Sequence, residues 1–158
     1  WRKFEAHAGE ELDPQRVLDA DFDTLRACGL SRQKQGYMRS LCELVVTGQL
    51  DFEALPVDDE EAIAQLTQIK GIGRWSAEIY LLFALRRADA FPSGDLALQL
   101  AAQRLFALDA RPSSAELVSL AERWRPWRGA AARLLWAECA LRRQRAAQDK
   151  KAEKSRSR

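Results

Sequence analysis

"LTQIKGIGRWSAEIYLLFALRRADAFPSGDLAL", residues 66–98, places Gly71-Ile72-Gly73 between two apolar helical stretches and, after a Pro92-Ser93-Gly94 loop, sets a carboxylate at Asp95. Gly71 and Gly73 admit backbone conformations closed to other residues, and without Cβ atoms they leave the peptide N–H groups open where the next helix starts at Arg74. That helix start, with its amides and the positive end of its dipole, suits an anion, and Lys70 and Arg74 add charge beside it. Two readings are open: a turn that binds a phosphate, or an αα-hairpin whose glycines only reverse the chain. Asp95 has the same duality, because aspartate is a favoured N-cap whether or not it does chemistry.

Outward from this stretch, the apolar residues recur at helical spacing and no alternating run rich in Val, Ile or Thr is present, which predicts an all-α protein. Asp13-Pro14 starts a helix through about Ala20; Asp21 starts a short one that Gly29 stops; Ser31 caps a longer one ending at Gly48. "DFEAL" before Pro56 reads as one helical turn. Asp58 starts a helix running to Ile69, with Ile63, Leu66 and Ile69 on one face. "RWSAEIYLLFALRR", "DLALQLAAQRLFAL", "SSAELVSLAERW" and "RGAAARLLWAECALRRQRAA" are the remaining helices. Some eight to ten helices joined by loops of a few residues predict a compact multi-helix globule, ending in a basic, disordered tail over 146–158.

The 158 residues, 47% hydrophobic and 30% charged, suffice for one globular domain or two small lobes. The formal net charge of +2 conceals an asymmetry. Eight of the 25 Lys and Arg residues but only two of the 23 Asp and Glu fall in 142–158, so residues 1–141 carry −4. A basic tail serves a polyanionic partner or simply solubility. Cys28, Cys42 and Cys139 are odd in number and lie in apolar helical contexts, as core filler in a reducing compartment would. No paired Cys or Cys/His spacing offers a zinc site or holds an iron–sulfur cluster. His7, the only histidine, reads as a surface residue, and no apolar run would span a bilayer.

Taken together and in order, these segments resemble the helix-hairpin-helix DNA glycosylase superfamily, and most closely its 3-methyladenine DNA glycosylase II (alkylbase) branch. "LTQIKGIGRWSAEIYLLFAL" is similar to that branch's hairpin and second hairpin helix, and "DAFPSGDLAL" to its loop ending in the catalytic aspartate. "GLSRQKQGYMRSL" resembles the segment preceding the hairpin, and "WRPWRGAAARLLW" the entry to the final helix. The similarity runs from about residue 10 to 142.

The resemblance implies a glycosylase domain over 1–145, with the hairpin at about 59–86, that hydrolyses the N-glycosidic bond of alkylated purines of the 3-methyladenine and 7-methylguanine type in base excision repair. Asp95 becomes the essential carboxylate, set beside a sugar that gains positive charge as the base leaves. Lys70, Gly71, Ile72, Gly73 and Arg74 become the phosphate-binding turn. Relatives that also nick the backbone carry a lysine where this chain has Trp75; a tryptophan forms no Schiff base, which implies a monofunctional enzyme leaving an abasic site. Trp75 either stacks on a flipped cationic base or packs the hairpin against the core. Trp127, with Trp124 and Arg128, matches a segment near the active-site mouth and completes the expected base pocket. Tyr80, Phe83, Phe91 and Trp136 read as core, while Lys34 and Tyr37 would lie near the DNA backbone.

The family also implies that the backbone carbonyls of Thr67, Ile69 and Ile72 hold Na⁺ or K⁺, with no other cofactor required. A helix is expected upstream, of which "WRKFEAH" is the end. The expected partner is double-stranded DNA carrying a damaged base, met by a monomer in the cytoplasm, nucleoid-associated in a prokaryote. Three alternatives stand beside this reading: a catalytically silent helix-hairpin-helix DNA-binding module, a glycosylase for uracil or a deaminated purine, and a helical protein-interaction domain.

Overall fold

The computed structural model describes residues 4–6 and 13–156; His7 and most of "WRKFEAH" lie outside them. The described residues are all-α, without a strand, and divide into two compact units, Trp1–Ala77 and Glu78–Arg158.

The first unit holds α1 (Pro14–Asp19), α2 (Phe22–Ala27), α3 (Arg32–Val46) and α4 (Asp59–Leu66). Each starts where a side-chain oxygen can take an orphan amide. Asp13 accepts from the Gln15 N–H, Asp21 from Thr24, Ser31 from Lys34, and Asp58 from Glu60 and Glu61. Val17, Leu25, Cys42 and Phe4 form one apolar cluster, against which Leu18, Leu30 and Met38 pack. Burying a leucine as completely as Leu25 stabilises by about 1.5–3 kcal/mol. Polar side chains of α3 close the gaps this leaves. Gln35 donates to the carbonyls of Phe22 and Leu30, and Arg39 to those of Leu18 and Ala20, where α1 has run out of its own donors. Burial pushes the Cys42 thiol up, against the opposing charge of Arg39, as suits a core filler.

Two expectations fail here. "DFEAL" is not helical: the Asp51 carboxylate accepts from the Glu53 N–H, and a residue preceding proline, as Leu55 does, is pushed out of the α region. The α4 helix stops at Leu66, because the Thr67 hydroxyl donates back to the carbonyls of Ile63 and Ala64; Ile63, Leu66 and Ile69 are nonetheless all buried.

The helix α5 (Arg74–Phe83) begins in the first unit and continues into the second, which also contains α6 (Leu96–Leu105), α7 (Ser114–Ala121), a 3-10 turn (Glu122–Trp124) and α8 (Arg128–Arg156). Ser113 and Glu116 form a reciprocal capping box on α7. The α6 helix packs on α8, and fully buried Ala101, Ala102 and Ala132 keep the side chains of both helices small. Gly129 shows how close the chain comes: its N–H donates to the Ala88 carbonyl at 2.8 Å, and a Cβ there would stand 2.7 Å from that oxygen and 2.6 Å from Leu82 Cδ1. The α5 helix ends four residues earlier than its pattern suggests, since Arg86 adopts a φ of +56° and the Arg87 N–H turns back to the Leu81 carbonyl. At the other end, the backbone of α8 stays helical to Arg156 instead of stopping near residue 146. After Gly129 it contains no glycine or proline and is dominated by strong helix formers.

Candidate active site

Asp95 sits at the mouth of α6, half-buried, where the preceding loop leaves little freedom. Phe91, Pro92 and Ser93 are buried; the Ser93 N–H donates to the Phe91 carbonyl and the Asp95 N–H to that of Pro92. Gln99, itself buried, donates from Nε2 to the Ser93 carbonyl at 3.0 Å and so ties the loop to the helix it precedes. Oδ1 of Asp95 accepts from the amides of Ala97 at 2.9 Å and Leu98 at 3.1 Å, and from Nε1 of Trp136 at 3.1 Å. The carboxylate is therefore a cap, as local sequence predicts, and also the end point of an indole from a distant helix. Its negative charge stands at the positive end of the α6 dipole. Trp136, read from sequence as core, thus belongs to this site. Its ring stacks on Phe83 with centroids 5.7 Å apart, and the Arg133 guanidinium lies 4.9 Å from the Phe83 ring. Phe83 is half-exposed rather than core, while Phe91 is buried as expected.

Trp127 stands elsewhere in the same unit. It is 64% exposed and lines a groove of about 470 Å³ with Leu105, Phe106, Trp124 and Leu134, at the C-terminal end of α6. Asp95 caps the opposite end of α6, about 15 Å of helix away. The structure therefore does not bring Trp127 beside the carboxylate. Arg128, expected at the site's mouth, is spent on Asp89. Its Nε and Nη2 reach the two carboxylate oxygens at 2.9 and 2.8 Å, its backbone N–H adds a third bond, and Arg125 Nη1 adds a fourth at 2.7 Å. Glu122 accepts from Arg125 as well.

Burial opposes ionisation of Asp89, but the hydrogen bonds from Arg128 and the charges of Arg128 and Arg125 outweigh it and hold the carboxyl below the usual aspartate range. A depressed folded-state pKa contributes stability that is complete above the unfolded value of about 3.9 and is lost as pH falls through the lower folded value. The melting temperature should accordingly fall more steeply with acid below about pH 4 in the parent chain than in Asp89→Asn. Parallel curves for the two proteins would remove Asp89 as a source of the acid sensitivity.

The hairpin lies in the first unit. Gly71 has a φ of +89°, and the Tyr37 ring lies directly beneath it, so that a Cβ at this position would meet ring carbons at 2.7 Å. Tyr37 thus supports the turn from below, with its hydroxyl accepting from Gln33 Nε2. The Lys70 N–H donates to Ser40 Oγ at 3.0 Å and the Ile72 N–H to the Ile69 carbonyl, which fixes the turn on both sides of Gly71. Gly73 takes the position before α5, its carbonyl accepting from the Ala77 N–H, and brings no side chain over the helix start. Lys70, Gly71, Gly73, Arg74 and Trp75 are all exposed, and Ile72 is half-buried.

Arg74 already has an anionic partner, since its guanidinium makes a two-pronged pair with Glu60 at 2.8 and 2.5 Å. Both side chains are more than half exposed, so the pair is worth little and yields readily to a phosphate. Trp75 keeps 49% of its surface exposed, which excludes a purely buried packing role. Thr67, Ile69 and Ile72 offer neutral backbone oxygens at the negative end of α4. This chemistry suits a monovalent cation, with the Ile69 oxygen already accepting one turn hydrogen bond.

Comparison with known proteins adds to this geometry. Residues 1–126 match the description "HhH-GPD superfamily base excision DNA repair protein". DNA-3-methyladenine glycosylase 1 of Schizosaccharomyces pombe is 38% identical over 130 residues, 81% of this chain and 57% of that protein. DNA-3-methyladenine glycosylase 2 of Escherichia coli is 31% identical over 138 residues, 81% of this chain and 46% of the relative. Among solved structures, the S. pombe 3-methyladenine DNA glycosylase (Mag1) in complex with abasic DNA superposes with a TM-score of 0.69 at 35% identity, covering 85% of this chain and 68% of that one. The chain spans about half the length of the curated relatives it matches.

Proposed function

The chain belongs to the HhH-GPD superfamily of base excision DNA repair proteins, and from that premise we propose that it is a monofunctional DNA glycosylase that removes alkylated purines and leaves an abasic site. The observation that carries the reading is Asp95, a carboxylate held by three donors at the end of a buried loop. Cleavage of the glycosidic bond leaves positive charge on the sugar, which a fixed carboxylate stabilises while it steers the attacking water. The base leaves the stack first, because its bond to the sugar is out of reach inside a duplex. The hairpin amides around Gly71 and Gly73, with Lys70 and with Arg74 released from Glu60, take a backbone phosphate. Na⁺ or K⁺ on the carbonyls of Thr67, Ile69 and Ile72 would hold the same turn in shape.

The exposed face of Trp75 suits stacking on a cationic base, a contact worth about 0.5–2 kcal/mol. Having no amine, it leaves hydrolysis as the only route at that position. Trp127 takes no part in this scheme. The names of the relatives support methylated purines as the lesion class. The protein acts as a monomer on double-stranded DNA, in the nucleoid of a prokaryote. No helix among the described residues is long and apolar enough to cross a membrane.

The test is release of methylated purine from a methylated duplex, followed by a search for strand breaks. Release with strands intact until alkali is added is the expected result. Strands nicked without alkali would contradict the role given to Trp75, and retained DNA binding with no released base would favour the silent module or another lesion.

A further inference from the structure

We infer that Trp136 is a positioning residue for Asp95, its indole N–H fixing the plane of the carboxylate; this rests on the proposed hydrolysis. The two amides that Asp95 caps, those of Ala97 and Leu98, belong to its own helix and meet one oxygen. The terminal torsion of an aspartate is broad, so bonds to a single oxygen from one direction leave the carboxylate free to swing. The Trp136 N–H reaches the same oxygen from α8, 41 residues further along the chain. With donors arriving from two helices, the swing is blocked.

The α8 helix is itself fastened where this matters. Cys139, one turn beyond Trp136, donates from Sγ to the Ala97 carbonyl at 3.3 Å, next to the amide that caps Asp95. Arg104 of α6 donates to Glu138 at 2.7 Å and to Cys139 Sγ at 3.1 Å. Stacking on Phe83 sets the tilt of the indole. Packing alone would be served by any aromatic ring at position 136, whereas the hydrogen bond requires an indole.

The experiment compares the parent chain with Trp136→Phe, which keeps a ring and deletes the N–H, and with Phe83→Leu, which removes the stacked ring and keeps the N–H. Single-turnover release from a methylated duplex should fall about ten- to hundredfold in Trp136→Phe, the scale on which small misplacements act. Affinity for an abasic duplex and the melting temperature should stay near those of the parent, and Phe83→Leu should change the rate by less than about threefold. In an Asp95→Asn background, Trp136→Phe should cost nothing further, because the two residues act as one unit.

Parent-like release by Trp136→Phe, with Asp95-dependent release intact in the parent chain, overturns this inference and leaves the proposed function standing. A loss in Trp136→Phe matched by weaker DNA binding, a lowered melting temperature or an equal loss in Phe83→Leu also overturns it, in favour of packing. Absence of any Asp95-dependent release in the parent chain overturns the functional reading itself.

Discussion

Replacing Asp95 by Asn is expected to lower base release from methylated DNA by at least about a hundred- to a thousandfold while leaving the melting temperature almost unchanged, the scale seen when a preorganised electrostatic group is removed. The separation of the two effects follows from the site. Asparagine caps helices as well as aspartate does, and its side-chain oxygen offers the same acceptor to the amides of Ala97 and Leu98 and to the Trp136 indole. What disappears is the negative charge. Asp95→Ala removes the cap too, at a cost of about 0.5–2 kcal/mol, and strands the indole N–H, so it should melt at least about 2–4 °C lower for each kcal/mol lost. Base release and melting temperature, measured on both variants, then distinguish a carboxylate that reacts from one that only caps. Undiminished release by Asp95→Asn would mean that Asp95 is a cap and nothing more.

The parts of the fold that were legible in the sequence are those settled within a few residues. Asp13, Asp21, Ser31, Asp58, Asp95 and Ser113 all cap helices, because the bond runs from a side chain to an amide two or three positions on. The positive φ angles at Gly29, Gly48 and Gly71 follow from glycine in the same local way. Contacts across long separations were not legible. Nothing near Trp136 announces a carboxylate 41 residues earlier, and Asp89 gives no sign that Arg125 and Arg128 will close on it. Arg74 shows the same limit, since a basic residue beside a glycine turn reads as a phosphate ligand until Glu60, fourteen residues back, is seen to hold it. Trp127 failed for a related reason: motif order places it beside the site's segments, but α6 carries its groove to the other end of the helix from Asp95.

The two hairpin glycines should part company on substitution, although the sequence treats them alike. Gly71→Ala forces a side chain into a φ of +89° and drives its Cβ to 2.7 Å from the Tyr37 ring. Left-handed strain of about 1–2 kcal/mol and overpacking of about 1–3 kcal/mol make a total near 2–5 kcal/mol, enough to lower the melting temperature by roughly 5–15 °C. Adding Tyr37→Leu should recover the overpacking part and leave the backbone strain. Gly73 has an ordinary φ, and a Cβ there would meet nothing within 4 Å, so Gly73→Ala should melt at or slightly above the parent temperature. If a phosphate approaches the backbone at Gly73, the added methyl group obstructs it, and affinity for duplex DNA should drop about tenfold in a protein that is otherwise intact. Melting curves and binding isotherms of the two single variants separate a glycine required by the fold from one required by the ligand. Unchanged DNA affinity in Gly73→Ala would take the phosphate away from this end of the turn, leaving Gly73 as a helix start without a ligand.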